Sequence, residues 1–295
     1  MEFKEQLQQQ AGRVDRIMDS YLPEESGYQK TIFSAMNYSV RAGGKRLRPI
    51  LMEETYRLCG GEGKEIEPFM AAIEMIHTSS LVHDDLPAMD GDEYRRGKKT
   101  TWVVYGEDMG ILAGDALMIY AFEVAAKAFG MTAHPERAGR AIGILAEKTG
   151  IYGMLGGQTV DVALTGKPVP EDALDFIYRL KTGALLEASM MIGAVMAGAD
   201  EETVKKCGEV ALKVGLAFQI QDDILDLTSS TEELGKPVLS DEKNNKTTYV
   251  TINGLEASKE KVAELSAEAV NTLRGISGEN PFLEQLILSL VNRLK

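Results

Sequence analysis

Apolar residues recur every three or four positions through nearly every segment of this chain, and no run of β-branched residues alternates with polar ones. That spacing commits the chain to amphipathic helices and leaves little from which to build a sheet. The stripe is clearest at 204–227, where Val204, Cys207, Ala211, Val214, Phe218 and Leu225 share one face. A second stripe runs through 171–197 on Leu174, Ile177, Leu185, Ala188 and Ile192. Further helices are predicted over 4–20, 28–42, 49–59, 66–84, 108–129, 137–164, 246–274 and 281–294. Only short polar segments separate them, at 41–48, 60–65, 86–100, 130–135, 166–170 and 229–245. With no repeat, low-complexity tract or linker, the expectation is one all-α domain over 1–295, a helical bundle working through helix ends and inward faces.

Composition narrows the partners. The chain has 295 residues, 44% of them hydrophobic and 26% charged, enough to bury a large core. Its net charge of -13 argues against general nucleic-acid binding, which wants a basic surface. No uninterrupted apolar run approaches the roughly 20 residues of a membrane span. The N-terminus, MEFKEQLQQQ, is polar and resembles neither a signal nor a transit peptide. Cys59 and Cys207 offer no disulfide framework or zinc spacing, so a cytoplasmic location is expected.

Two acidic clusters interrupt the apolar stripes. On the 204–227 helix the turn that should stay apolar reads Gln219, Gln221, Asp222, Asp223 and Asp226. Asp222 is in phase with Val204, Ala211, Val214 and Phe218, and Asp226 follows one turn on, so both point inward. Carboxylates facing a core are costly unless cations or hydrogen bonds compensate. The second cluster, HDDLPAMD at 83–90, ends the apolar helix that contains Met70, Ile73, Ile76 and Leu81. Pro87 disfavours helical geometry at Leu86, so Asp90 falls in a loop able to return beside Asp84 and Asp85. Hard oxygen donors of this kind suit Mg²⁺, held through one or two carboxylates together with phosphate oxygens.

Against that acidic background the cations stand out. GGKRLRP at 43–49 puts Lys45, Arg46 and Arg48 in a glycine-bearing loop, with Pro49 suited to the first position of a helix. Guanidinium forks beside a helix N-terminus make a diphosphate receptor. Arg95 and Arg96 follow the first acidic loop directly. Lys181, in phase with Leu174, Ile177, Leu185 and Ala188, faces inward next to Thr182, and Lys236 and Lys246 follow the second cluster. The combination describes a dry cavity in which a diphosphate leaving group departs with electrostatic help and a carbocation is kept from water.

GGKRLRP (43–49), HDDLPAMDGDEYRRG (83–97), GMLGGQTVD (153–161), KTGALLEAS (181–189) and FQIQDDILD (218–226) resemble the trans-prenyl diphosphate synthases, above all the bacterial farnesyl and geranylgeranyl diphosphate synthases. The resemblance implies ten or more helices around a deep central cavity, the isoprenoid synthase fold, in a homodimer. It implies Mg²⁺ ligands at Asp84, Asp85, Asp90, Asp222, Asp223 and Asp226, with three ions when substrate is bound. It implies that Lys45, Arg48, His77 and Arg96 bind isopentenyl diphosphate, and that Arg95, Lys181, Lys236 and Lys246 bind the allylic diphosphate. Lys181, Thr182, Gln219, Gln158 and Asp161 would then border the reacting carbons. The reaction so implied is ionisation, attack by the isopentenyl double bond, and proton loss to the released diphosphate. His83 is expected to support the helix end, and Trp102 stands where relatives often have histidine.

Product length turns on the residues below the first acidic cluster. Ser79 and Ser80 lie one turn before Asp84. Relatives that stop at farnesyl diphosphate typically carry an aromatic residue at Ser79, so a serine favours C20 or longer over C15, with Ile76 or another helix as the next barrier. Bulk from the 108–129 helix is the alternative that would stop growth at C15. Three alternatives compete. A class I terpene cyclase does not need the GGKRLRP receptor. A phosphohydrolase would want more metal-binding histidines than His77, His83 and His134. A non-catalytic partner subunit should have lost acidic ligands that this chain keeps.

Overall fold

The structure, a computed structural model, describes residues 2–228 and 247–291. The chain packs as two compact units, Met1–Glu53 with Glu62–Ile142, and Glu54–Gly61 with Gly143–Lys295. Both are built from helices, as the apolar spacing predicts.

The first unit is organised on α4, Glu67–Asp84, whose sequence is apolar on almost every side. A helix of that kind belongs inside a protein, and Phe69, Met70, Ile73, Met75 and Ile76 are fully buried. The helix packs against Glu107–Ala126, α6 of the chain, and is flanked by α1 (Phe3–Tyr21) and α2 (Lys30–Val40). The polar helix α1 contributes only Val14, Ile17 and Met18 to the core. Helix α3, Leu47–Leu58, begins two residues before Pro49, so that proline sits inside the first turn and not at its start. Its missing N–H costs nothing there, because first-turn N–H groups have no partner within the helix.

Two small elements escape the periodicity. Residues Tyr94–Arg95 and Lys98–Lys99 pair as an antiparallel hairpin, β1 and β2. Its turn is Arg96-Gly97, both with positive φ (54° and 77°), the geometry that two-residue hairpins favour. Strands of two residues are too short to show alternation. A single-turn helix, α5 (Thr101–Tyr105), then leads into α6.

The second unit is organised on α11, Glu201–Thr228, packed against α10 (Ala184–Ala197) and two later helices, α13 (Leu255–Arg274) and α14 (Pro281–Val291). Several predicted helices break. The 137–164 prediction divides into α7 (Pro135–Thr149) and α8 (Met154–Leu164) around Gly150 and Gly153. The 246–274 prediction divides at Gly254, φ 82°, into α12 (Tyr249–Asn253) and α13. The 171–197 prediction holds α9 (Glu171–Ile177) and α10 but passes through a π-helical turn, Tyr178–Gly183. Such a turn inserts extra chain into the helix, and π turns are frequent at functional sites. Helical phase counted from Leu174 therefore does not carry through to Lys181. Gly157 of α8 lies so close to this turn that a Cβ there would stand 2.3 Å from the Lys181 backbone nitrogen.

Cys59 and Cys207, far apart in sequence, are both free thiols in this unit and influence one another's titration. Glu107–Gly130 and Glu171–Ala197 are long and apolar enough to pass for membrane spans by length and composition. Charged residues interrupt both, so neither forms an unbroken apolar run. The second is a core segment, with 67% of its most apolar stretch buried inside the protein.

Candidate active site

The first acidic set is shaped by how α4 stops. Asp85 caps the helix through its N–H to Leu81 O (3.0 Å), and Leu86 N–H reaches His83 O (3.1 Å). Pro87 prevents continuation, and the chain turns back until Asp90 N–H donates to Asp84 O at 2.9 Å. Asp84 and Asp90 thus begin and end one closed loop. Asp85 is buried, Asp84 half-buried and Asp90 exposed. Burial pushes the Asp85 carboxyl up, opposed by Arg95, whose Nε and Nη2 both reach Oδ1 at 2.6 Å. Arg95, named by resemblance as an allylic diphosphate ligand, is here the counter-ion of a metal-ligand candidate. Trp102 Nε1 donates to Asp92 O at 3.0 Å and so fastens the same loop. His83 supports the helix end as expected, with Nε2 3.2 Å from Ile111 O on α6.

The cations of the 43–48 loop gather around a pocket of about 510 Å³, lined by Lys45, Arg46, Arg48, Glu74, His77 and Arg96. Gly43 and Gly44 take φ of 93° and 143°, which opens the loop. A Cβ on Gly44 would run into the Arg96 guanidinium, whose Nη1 donates to Gly43 O. Arg48 Nε is buried without a hydrogen-bond partner among the described residues. Burial disfavours charge on Arg48 and on Arg96; repulsion from Arg96 adds to this at Arg48, and repulsion from Arg46 and Arg95 adds to it at Arg96. Burial also drives His77 well below the ordinary histidine range, helped by Arg48 and Arg96, so it is neutral near pH 7. A pocket of poorly compensated cations with an unsatisfied buried donor is built for an anion.

Arg46 behaves differently from its neighbours. It is 3% exposed, adopts φ 50°, and turns beneath the loop. Its Nε donates to Asp15 (2.8 Å), Nη1 to Glu74 (2.9 Å) and Nη2 to Val40 O (2.7 Å). The expectation of three cations presented by GGKRLRP is thus corrected to two, Lys45 and Arg48. Glu74, an acid in the middle of an apolar helix, carried a readable signal that the pattern of cations obscured.

In the second unit Asp222 and Asp223 are half-buried and Asp226 is buried. Asp223 Oδ2 accepts the Tyr178 hydroxyl at 2.6 Å and the Tyr249 N–H at 2.9 Å. One carboxylate oxygen therefore ties the π turn to the start of α12, two partners that sequence spacing did not reveal. The π turn presents Lys181 and Thr182, both half-buried, and Lys181 Nζ pairs with Asp161 Oδ2 on α8. Gln158 and Gln219 are half-buried. Lys236 and Lys246 lie outside the described residues.

Among the described residues no group of three or more acidic, histidine or cysteine side chains is preassembled as a closed metal cage. The donors are nonetheless all carboxylate oxygens, which fits Mg²⁺, an ion that takes few protein ligands and completes its shell with phosphate and water. Below Asp84, Ser79 is fully buried with its hydroxyl donating to Ile76 O (2.8 Å), and Ile76 is likewise fully buried. Ser80 is half-buried and donates to His77 O (2.9 Å).

Residues 29–274 match the family model described as polyprenyl synthetase. The chain is 44% identical over 257 residues to farnesyl diphosphate synthase of Geobacillus stearothermophilus, covering 87% of this chain and 86% of that one. It is 42% identical over 282 residues to the heterodimeric geranylgeranyl pyrophosphate synthase large subunit 1 of Arabidopsis thaliana, covering 94% and 76%. Among solved structures, the apo FPP/GFPP synthase of Zymomonas mobilis superposes with a TM-score of 0.85 at 30% identity, over 99% of this chain and 98% of that one. The Helicobacter pylori geranyltransferase complexed with magnesium and isoprenyl diphosphate gives 0.82 at 32% identity, over 100% and 98%. The chain belongs to the polyprenyl synthetase family of prenyltransferases.

Proposed function

We propose that residues 1–295 act as one short-chain trans-prenyl diphosphate synthase, joining isopentenyl diphosphate head to tail to an allylic diphosphate. The observation that carries this reading is the cation-lined pocket beside the first acidic loop, with its buried, unpaired Arg48 Nε. A terpene cyclase has no second diphosphate to hold there, and a non-catalytic subunit has no need of both acidic sets.

In this reading Lys45, Arg48, His77 and Arg96 hold isopentenyl diphosphate without metal. Asp84, Asp85, Asp90, Asp222 and Asp226 hold Mg²⁺, three ions when substrate is bound, and Asp223 assists by positioning. The metal supplies charge neutralisation for the departing diphosphate. Arg95, Lys181, Lys236 and Lys246 bind the allylic diphosphate and stabilise the same developing charge. Thr182, Gln158, Gln219 and Asp161 border the allylic cation. The isopentenyl double bond then attacks, and the proton lost from the adduct passes to the released diphosphate, since no side chain among the described residues is an obvious base.

We assign C20 as the principal product, because Ser79 and Ser80 put no aromatic floor one turn below Asp84. The homodimer is supported by α6, which exposes Ile111, Leu112 and Ile119. The two unbridged cysteines favour the cytoplasm. The deciding assay mixes isopentenyl and dimethylallyl diphosphates with Mg²⁺, follows diphosphate release and weighs the prenyl products. A chelator should abolish release, and Asp84→Ala should slow it about a thousandfold, the rate equivalent of several kcal/mol of lost charge stabilisation. Metal-independent release would overturn the reaction, and C15 alone would overturn the chain-length assignment.

A further inference from the structure

The isopentenyl diphosphate pocket contains an anion that no ligand role explains. Glu74 lies on α4 one turn before His77, is 2% exposed, and lines the same pocket as Lys45, Arg48 and Arg96. Its carboxylate pairs with Arg46 Nη1 at 2.9 Å. Arg46 does not depend on that contact alone, because Asp15 and Val40 O occupy its other two nitrogens. Glu74 also acts electrostatically on Arg48 and Arg96, each of which is disfavoured by neighbouring guanidinium groups. A buried carboxylate is costly unless cations compensate it, and a cluster of guanidinium groups is equally costly without an anion. Each therefore stabilises the other while the pocket is empty.

A diphosphate reverses the balance. Its charges satisfy Arg48 and Arg96 better than a carboxylate already paired with Arg46 can, and Glu74 becomes a like charge facing the ligand. We propose, on the reading of this pocket as the isopentenyl diphosphate receptor, that Glu74 is its resident counter-ion: it stabilises the empty pocket and weakens diphosphate binding so that the ligand exchanges. Glu74 thus sets affinity while touching neither reacting carbon.

Titration calorimetry of the full chain in EDTA, with isopentenyl diphosphate as the probe, removes the metal-held site from the measurement. Glu74→Gln keeps the side-chain shape and an oxygen to accept from Arg46, but removes the charge. Its dissociation constant should fall about tenfold, the effect of removing one partly screened like charge. Its ligand-free melting temperature should drop, and the ligand-induced rise should exceed that of the wild type. Glu74→Asp, which keeps the charge, should bind like the wild type. Under turnover conditions the Glu74→Gln KM for isopentenyl diphosphate should fall while the allylic KM stays unchanged. Weaker or unchanged binding by Glu74→Gln, or equal behaviour of the Asp and Gln variants, overturns the inference. If Glu74→Gln does not fold unaided, refolding with isopentenyl diphosphate present should recover it, and no recovery also counts against the counter-ion role. The receptor reading has its own control. Wild type should bind the probe in EDTA and Arg96→Ala should lose it; if wild type does not bind, the reading of the pocket fails and not the role of Glu74.

Discussion

At the scale of single residues, the same spacing can hold opposite roles. Lys45, Arg46 and Arg48 are near neighbours in sequence, yet Arg46 turns inward to buried Glu74 and the more exposed Asp15, while Arg48 leaves a buried nitrogen unpaired among the described residues. Sequence shows three cations; the left-handed backbone at Arg46 accompanies the one whose guanidinium is already taken by Glu74 and Asp15. His77 is a parallel case. Packed on α4 and faced by Arg48, Arg96, Arg46 and Arg95, it is held neutral, with its folded pKa well below that of the unfolded chain. The sign follows from linkage: a histidine with a depressed folded pKa binds fewer protons folded than unfolded. Its stabilising contribution is complete above the unfolded pKa of about 6.5 and is lost as pH falls towards the folded value. Ligand-free wild type should therefore lose stability on acidification below about pH 6.5, by at most about 1.4 kcal/mol per pH unit for this one proton. His77→Asn should show a shallower slope, read by chemical denaturation at several pH values. Equal slopes would refute the assignment. Added diphosphate should also flatten the wild-type slope, because an anion beside His77 favours the protonated ring.

At the scale of elements, periodicity identified the helices and missed their interruptions. The 204–227 stripe became α11 and the 66–84 stripe became α4, because long apolar repeats leave few other ways to bury their faces. The π turn at Tyr178–Gly183 and the breaks at Gly150–Gly153 and Gly254 depend on individual backbone conformations that averaged spacing does not register. The π turn matters most for function, since it presents Lys181 and Thr182. Gly157 lets α8 approach it closely, and the Tyr178 hydroxyl anchors it to Asp223 at 2.6 Å. Tyr178→Phe removes that anchor and keeps the ring. A hydrogen bond to a charged group contributes about 1.5–3 kcal/mol, so a stability loss towards the lower end of that range is expected. A looser turn should raise the KM for the allylic diphosphate several-fold while leaving the KM for isopentenyl diphosphate unchanged. Equal changes in both constants would mean that the tyrosine supports the fold without positioning Lys181. Gly157→Ala gives no such separation, because a Cβ 2.3 Å from backbone nitrogen should disturb packing outright.

At the scale of the molecule, the sequence made the all-helical class and the acidic sets legible, because both rest on patterns repeated over many residues. Surface roles are less legible: an apolar residue at helical spacing reads as core whether it faces the interior or another chain. Helix α6 illustrates this. Its sequence is apolar enough to pass for a membrane span, yet only 39% of its most apolar stretch is buried. Ile119 is 72% exposed and Leu112 50%, one heptad apart on one face. A face of that kind, interspersed with Asp108, Asp115 and Glu123, suits a protein surface better than lipid, because carboxylates within a bilayer are costly. A second copy of the chain is the proposed occupant. Leu112→Glu with Ile119→Glu should leave the isolated unit intact, since both side chains already face outward, and should repel a symmetry-related copy of the same face. Light scattering behind size exclusion should give twice the chain mass for wild type and the chain mass for the double variant, with helical circular dichroism unchanged. A wild-type monomer, or a double variant that remains dimeric, would remove α6 from the interface.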